Sequence, residues 1–300
     1  MAIELLQGPL LSQKTTLRLG GRAIAEVVVK KKDDLAELPE VLKKLGGRPL
    51  VMGRGSNILA KSGDLPLTLI KMDFADAPII LGQQEQNYPG TLLEVWACTP
   101  LPKLLKFCAD NGLTGLQGLS GIPGQLGGAI AMNAGSYGQE IGDVLESITL
   151  FVPGQGLITL NKGEFTSSYR KFDFKGKEKV EYYLIISARL GMNKAEPEQI
   201  KRDMLEFKKI KAATQPLQAF SAGCAFCNPG PGLSAGKILD DLGFKGKSLG
   251  GMMFSDMHAN FLVNTGHGDS TEALELLDMA KEKVLAETGL ALKLEIMVCP

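Results

Sequence analysis

Ser221-Ala-Gly-Cys-Ala-Phe-Cys-Asn-Pro229 puts a thiol, Cys224, on a loop primed by Gly223. An ionisable thiol at such a point can move a proton. Two further side chains widen the chemistry. Arg170, in the pair Tyr169-Arg170, carries a permanent positive charge, and Glu295 brings a carboxyl group close to the C-terminus. None of the three is decisive alone. Glu295 alternates with Lys293 and Met297, opposite Leu292, Leu294, Ile296 and Val298, so a period of two makes it a solvent-facing carboxylate. Arg170 is equally ambiguous by itself, and His258 fits an ordinary half-buried histidine. The spacing Cys224-x-x-Cys227 also invites a metal or redox reading. Zinc needs two more ligands, however, and Cys98, Cys108, Cys299, His258 and His267 form no second pair. A redox dithiol needs a different context. No metal site is expected.

Two glycine-rich segments would have to present a ligand to these groups. In Gly53-Arg54-Gly55-Ser56-Asn57, followed by Ile58, glycines allow successive backbone N–H groups to converge on an anion, and Ser56 and Asn57 can add donors. A tight turn is the alternative reading. The spacing is neither that of a Rossmann fingerprint nor that of a Walker loop. Gly121-Ile122-Pro123-Gly124-Gln125-Leu126-Gly127-Gly128, running on to Asn133-Ala134-Gly135, suits a surface pressed against a flat ring and a diphosphate. A crowded turn between strands is possible there as well.

The elements that position these loops are mixed. Strands are expected at 24–31, 49–52, 67–71, 92–98, 147–152, 157–160, 182–190, 260–264 and 292–298. Helices are expected at 33–45, which Pro39 can kink or split, at 102–111, from Glu198 onward, and at 270–288. The last has Asp269 and Glu272 in capping-box spacing and Gly289 as its stop. Gln83 to Pro89 reads as a turn. The uneven alternation gives an α+β class, with a boundary near Lys194–Pro197.

Charge excludes whole classes of partner. With 33 basic and 33 acidic residues the net charge is zero, so no broad attraction to nucleic acid or anionic membrane is expected. No run approaches the roughly 18 apolar residues of a membrane span. An odd count of 5 cysteines argues for a reducing compartment, and no signal peptide is visible; a cytoplasmic protein is expected.

Read in chain order, several segments together resemble the UDP-N-acetylenolpyruvoylglucosamine reductase family over nearly the full length. They are Thr15-Thr-Leu-Arg-Leu-Gly-Gly21, Gly53 to Leu59, Gly121 to Gly124 through Asn133-Ala-Gly135, and Tyr169-Arg170, then Gly223 to Pro229, Ser255-Asp-Met-His-Ala-Asn-Phe261 and Glu295. The resemblance implies a vanillyl-alcohol-oxidase-type (PCMH-type) FAD-binding fold with a further substrate domain. Its parts would be residues 1–72 and 73–196, the second joined by the last strand at 292–300, holding non-covalent FAD, and 197–291 covering the substrate. Gly53 to Ile58, Gly121 to Gly124, Gly127, Gly128 and Asn133 to Gly135 would bind the cofactor, and Tyr169, Asn228 and His258 the substrate. The short run from Tyr169 to Lys194 resembles the branch lacking an extra substrate-clamping insertion.

The implied reaction uses NADPH to reduce FAD, then passes hydride to the methylene carbon of UDP-N-acetylglucosamine enolpyruvate, giving UDP-N-acetylmuramate for peptidoglycan. Arg170 and Glu295 would balance the enolate charge, and the residue at Cys224, commonly serine, would return a proton. A free thiol has a pKa of about 8.5, far below a serine hydroxyl, so activity is expected to fall on the alkaline side. Cys227 and Phe172 also depart from the family pattern. A monomer is expected. The alternatives are another FAD-dependent oxidoreductase of this fold, or a flavin- or nucleotide-binding protein without turnover.

Overall fold

The structure, a computed structural model, describes residues 3–74, 76–81 and 89–300. Of the turn expected at 83–89, only Pro89 lies within them. The chain forms two compact units. The first takes Met1–Leu6, Glu26–Gly53 and Thr68–Ile210, and the second takes Gln7–Ala25, Arg54–Leu67 and Lys211–Pro300. Among the described residues no helix is long and apolar enough to cross a membrane.

In the first unit an antiparallel sheet runs in the order Gly156–Asn161, Leu145–Val152, Leu184–Lys194, Thr91–Trp96 and Ile79–Ile80. Helix Leu101–Asp110 buries Leu101, Leu104, Leu105, Cys108 and Ala109, a stripe at helical spacing that joins the same core as the sheet. Pro39 splits the helix expected at 33–45. A 3-10 turn, Lys32–Ala36, comes first, and the α-helix Leu38–Leu45 begins with the proline in its first turn, where its missing N–H costs nothing.

A hairpin that the sequence reading did not foresee, Phe165–Ser168 with Lys171–Phe174, leaves Tyr169 and Arg170 as its two-residue tip. Phe165, Phe172 and Phe174 bury the root of the hairpin in the core, with the Phe172 ring 5.8 Å from Phe165 and 6.0 Å from Phe174. Phe172, 0% exposed, is therefore a packing residue.

In the second unit an antiparallel sheet runs Phe220–Cys224, Phe261–Asn264, Met252–Phe254, Ser248–Leu249. Helix Ser270–Thr288 has the expected capping box at Asp269 and Glu272 and the left-handed Gly289 at its end. Its buried stripe, Ala273, Leu276, Leu277, Ala280 and Val284, packs into one core with Leu239, Phe244 and Phe254.

The single strand expected at 292–298 is broken in two. Leu294 bridges antiparallel to Phe226, the chain bends at 295–296, and only Met297–Cys299 is a strand, parallel to Ile58–Ala60. The segment changes partner and direction of pairing between Leu294 and Met297, and one straight strand cannot satisfy both. Asn260 holds the other side of the junction. Its side chain accepts from Phe226 N at 2.9 Å and donates to Phe226 O at 2.8 Å, while its own carbonyl accepts from Ala225 N at 2.7 Å.

Two outcomes are expected from these packing features. Asn260→Ala leaves a buried N–H and a buried C=O of Phe226 without partners, and should lower unfolding stability by about 2–4 kcal/mol in denaturant titrations. A loss near zero would show that the loop is held by other contacts. Lys211, 3% exposed, has its ammonium pushed down by burial from an ordinary 10.5 to about 8. The unfolded chain binds the extra proton between those values, so stability rises with pH across that window. Lys211→Met should raise Tm by a few degrees at neutral pH, with the gain vanishing toward pH 10.5. A gain independent of pH would reject the cause.

Candidate active site

In the first unit the two glycine segments meet. A Cβ on Gly53 would lie 2.6 Å from Gln125 Oε1, so a side chain there would push the end of Gln125 aside. Gln125 is itself fixed, donating through Nε2 to Cys98 O at 2.8 Å. Gly121 and Gly124 have φ of +85° and +119°, Ile122 and Gly127 are half-buried, and Pro123 and Gly128 are exposed.

Asn133 is also left-handed, with φ +40°, and its side chain is committed inside the protein. Nδ2 donates to Glu140 Oε2 at 2.6 Å and to Ser168 O at 3.1 Å, and Oδ1 accepts from Gly142 N at 2.9 Å. Ala134 N donates to Ala129 O at 2.7 Å. What this stretch can offer a ligand is therefore its backbone. It also holds the hairpin tip: Asn133 grips Ser168, and Arg170 Nη2 donates to Gly135 O at 3.4 Å. Arg170 has φ +56° at the second tip position, a conformation glycine would adopt more easily, and its guanidinium lies 4.8 Å from the exposed Tyr169 ring. A strained arginine at a hairpin tip is a candidate for function.

The second unit assembles Cys224 and Glu295. Cys224 ends its strand, paired with Phe261, after an irregularity that begins at Ser221; Gly223 there has φ +82°. Beyond it, residues 225–227 form a short ladder with 293–295. Cys227 N donates to Lys293 O at 2.9 Å and Glu295 N donates to Ala225 O at 2.9 Å. This puts Glu295 beside the residue that follows Cys224. Asn57 then ties the phosphate-cradle loop to the same point, its Nδ2 donating to Glu295 O at 3.1 Å and its carbonyl accepting from Met297 N at 2.9 Å. Three segments singled out separately in the sequence thus converge.

The remaining residues fall around them. Arg54 is exposed, Ser56 half-buried, and Ile58 opens the strand that pairs with Met297. Asn228 Oδ1 accepts from Ala235 N at 3.0 Å, closing the loop after Cys227. His258 is half-buried with its ring 4.9 Å from Phe261; Nδ1 accepts from Asn260 N at 3.2 Å, and burial lowers its pKa, keeping it neutral. Cys227 Sγ points to Leu294 O at 3.9 Å. All five cysteines are outside any disulfide, and among the described residues no cluster of three or more metal-ligating side chains occurs. Asn260 was missed as a site residue, although it stands in the Ser255–Phe261 segment, because only the fold shows that it clamps the cysteine loop.

Local geometry suits a flavin dinucleotide. Gly128 is exposed and a Cβ there would meet nothing within 4 Å, so the second glycine segment presents bare backbone. Thr99 Oγ1 is buried with no hydrogen-bond partner among the described residues, and Thr99 O accepts from Leu126 N at 3.0 Å in that loop. Gly55, with φ +61°, allows its loop to lie on Lys14, whose carbonyl oxygen would be 2.4 Å from a Cβ. Bare backbone and an unspent hydroxyl are what a ring face and phosphate oxygens require.

Comparison with known proteins agrees. Residues 23–160 match the model of an FAD binding domain, and residues 215–299 match that of the UDP-N-acetylenolpyruvoylglucosamine reductase C-terminal domain. The UDP-N-acetylenolpyruvoylglucosamine reductase of Nitratidesulfovibrio vulgaris is 47% identical over 99% of this chain and 98% of its own length. That of Oleidesulfovibrio alaskensis is 42% identical over the same shares, 99% and 98%. The solved enzyme from Thermus caldophilus is 33% identical and superposes with a TM-score of 0.78 over 99% of both chains. Identity at this level across essentially the whole length, with an α+β fold built as expected, means that the chain belongs to the UDP-N-acetylenolpyruvoylglucosamine reductase family.

Proposed function

We propose that Cys224, Glu295 and Arg170 carry the chemistry of a flavin-dependent reduction, with the two glycine segments binding the cofactor. The chain is an FAD-dependent oxidoreductase that reduces UDP-N-acetylglucosamine enolpyruvate to UDP-N-acetylmuramate in peptidoglycan synthesis, with NADPH as reductant. The observation that supports the assignment of residues is the backbone ladder between 225–227 and 293–295, clasped by Asn57, which sets Glu295 next to the residue that follows Cys224 in the chain.

Bound FAD supplies hydride to the methylene carbon of the substrate. Charge then develops on the substrate as an enolate, and the protein must hold it. Arg170 does so with its guanidinium, pre-aimed by the hairpin tip and the Gly135 carbonyl. Glu295 shares that task. Cys224 gives its proton to the carbon that bore the charge, and the thiolate is reprotonated from solvent before the next turnover. Gly53 to Ile58, Gly121 to Gly124, Gly127, Gly128 and Asn133 to Gly135 hold the cofactor, chiefly through backbone. Tyr169, Asn228 and His258 contact the sugar nucleotide, with His258 neutral. In this reading 1–72 and 73–196 serve the flavin and 197–291 the substrate. Zero net charge supports the absence of nucleic acid partners, and a cytoplasmic monomer completes the proposal.

The two half-reactions, followed anaerobically by flavin absorbance, test these roles separately. Cys224→Ala should keep reduction by NADPH but slow reoxidation by the enolpyruvyl substrate roughly 10²–10⁴-fold. Cys224→Ser should recover most of that loss and abolish the alkaline decline. Unchanged reoxidation in Cys224→Ala would remove the thiol from the mechanism. Arg170→Gly relieves the left-handed strain, so Tm should hold or rise, while reoxidation should slow by about 10²-fold or more. A variant that turns over normally would leave Arg170 with a conformational role alone.

A further inference from the structure

We propose that Arg18 is an additional anion-binding residue, gripping a diphosphate group beside Gly55–Asn57; this rests on the reading above of the chain as a nucleotide-using flavin enzyme. Four described non-glycine residues have φ in the left-handed region: Arg18 at +55°, Asn133 at +40°, Tyr137 at +53° and Arg170 at +56°. Strained backbone persists where surrounding structure imposes it, often at sites of function. Asn133 and Arg170 are already placed by the site, and Tyr137 lies two residues beyond Gly135. Arg18 is the one for which the site has no use.

Its setting points to a ligand. Arg18 stands in a turn, its N–H donating to Thr15 O at 3.2 Å, and the buried Thr15 hydroxyl donates to Leu19 O at 3.0 Å. That turn rests on the cradle loop. Thr16 donates to Gly55 O from its N–H at 3.2 Å and from its hydroxyl at 3.4 Å, and Lys14 O sits where a Gly55 side chain would be. The guanidinium carbon lies over Phe220, 3.8 Å from the ring centroid, at the start of the strand that ends in Cys224. Arg18 is nonetheless exposed, and among the described residues no carboxylate pairs with it.

The five donors of an exposed arginine are otherwise spent on water. This one is held rigid by an aromatic face, which leaves its N–H edge for something else. A planar fork with an exposed edge, on a turn packed against a glycine cradle, matches a phosphate or diphosphate. Three ligands of the enzyme carry a diphosphate: FAD, NADPH and the sugar nucleotide.

Arg18→Gly removes the charge and the strain together, and Arg18→Met keeps apolar cover for Phe220 without charge. Each holoenzyme is compared with wild type for FAD dissociation, for the NADPH concentration dependence of flavin reduction, and for the substrate concentration dependence of reoxidation. In both variants the proposal expects affinity for at least one of the three to fall tenfold or more, with the saturated rates within twofold and the Tm of Arg18→Gly not lowered. Which affinity falls identifies the diphosphate. All three affinities within twofold of wild type in both variants would overturn it, as would full recovery of affinity in Arg18→Met, which would leave only packing on Phe220. A wild-type protein that failed to bind FAD or turn over would instead sink the functional reading on which the proposal rests.

Discussion

Asn57 does the work on which the second unit's chemistry depends. Its side chain and its carbonyl hold both ends of the bend at 295–296, across 238 positions of sequence. Glu295 stands at that bend. Here three restraints converge on it: Asn57 on one side, Ala225 on the other, and the parallel pairing of Met297–Cys299 with Ile58–Ala60 immediately beyond. The loop expected to cradle phosphate, the loop carrying the thiol and the segment carrying Glu295 are thus joined by backbone and Asn57 hydrogen bonds. Moving any one of them moves the others.

The first unit uses a different device. Asn133, Tyr137 and Arg170 are held in left-handed backbone, a conformation that costs a side chain roughly 1–2 kcal/mol and that glycine takes freely. The surroundings over-determine each of them. Asn133 makes three hydrogen bonds with its side chain, Tyr137 stacks on Phe207 with centroids 4.6 Å apart, and Arg170 reaches the Gly135 carbonyl. Tyr137 and Gly138 both have positive φ at the tip of a two-residue hairpin, where asparagine-glycine would be the relaxed choice. Residues that could have been glycine are instead an arginine and a tyrosine, so their side chains matter enough to tolerate the strain.

The departures from the family pattern separate by location. Phe172 belongs to an aromatic core under the hairpin, where a smaller polar side chain would leave a void, and its effect on function runs through the rigidity of the Arg170 tip. Cys227 is drawn into the ladder with 293–294 and lies along backbone. Cys224 is the one of the three that falls on the residue proposed as the proton donor.

Periodicity and capping chemistry determined much of this protein from sequence: the helix at 270–288 with its Asp269 box and Gly289 stop, the helix split at Pro39, and the long strands of the first unit. These are local properties, written in residues a few positions apart. The glycine loops, the thiol loop and the charged residues were legible as segments for the same reason. Their assembly was not. Alternation across 292–298 made Glu295 an outward carboxylate on a straight strand, and only the fold showed the bend, because the partners that break the strand lie near residues 57 and 226. The Phe165–Phe174 hairpin escaped notice because its turn has no glycine or asparagine to announce it. The clamp of Asn260 on Phe226 is invisible locally for a like reason: a buried side chain's hydrogen-bond partner depends on which distant backbone the fold brings to it. The sequence by itself decided which chemistry was possible, and within each unit the tertiary structure decided which of the segments are hydrogen-bonded together, because those partners lie far apart along the chain.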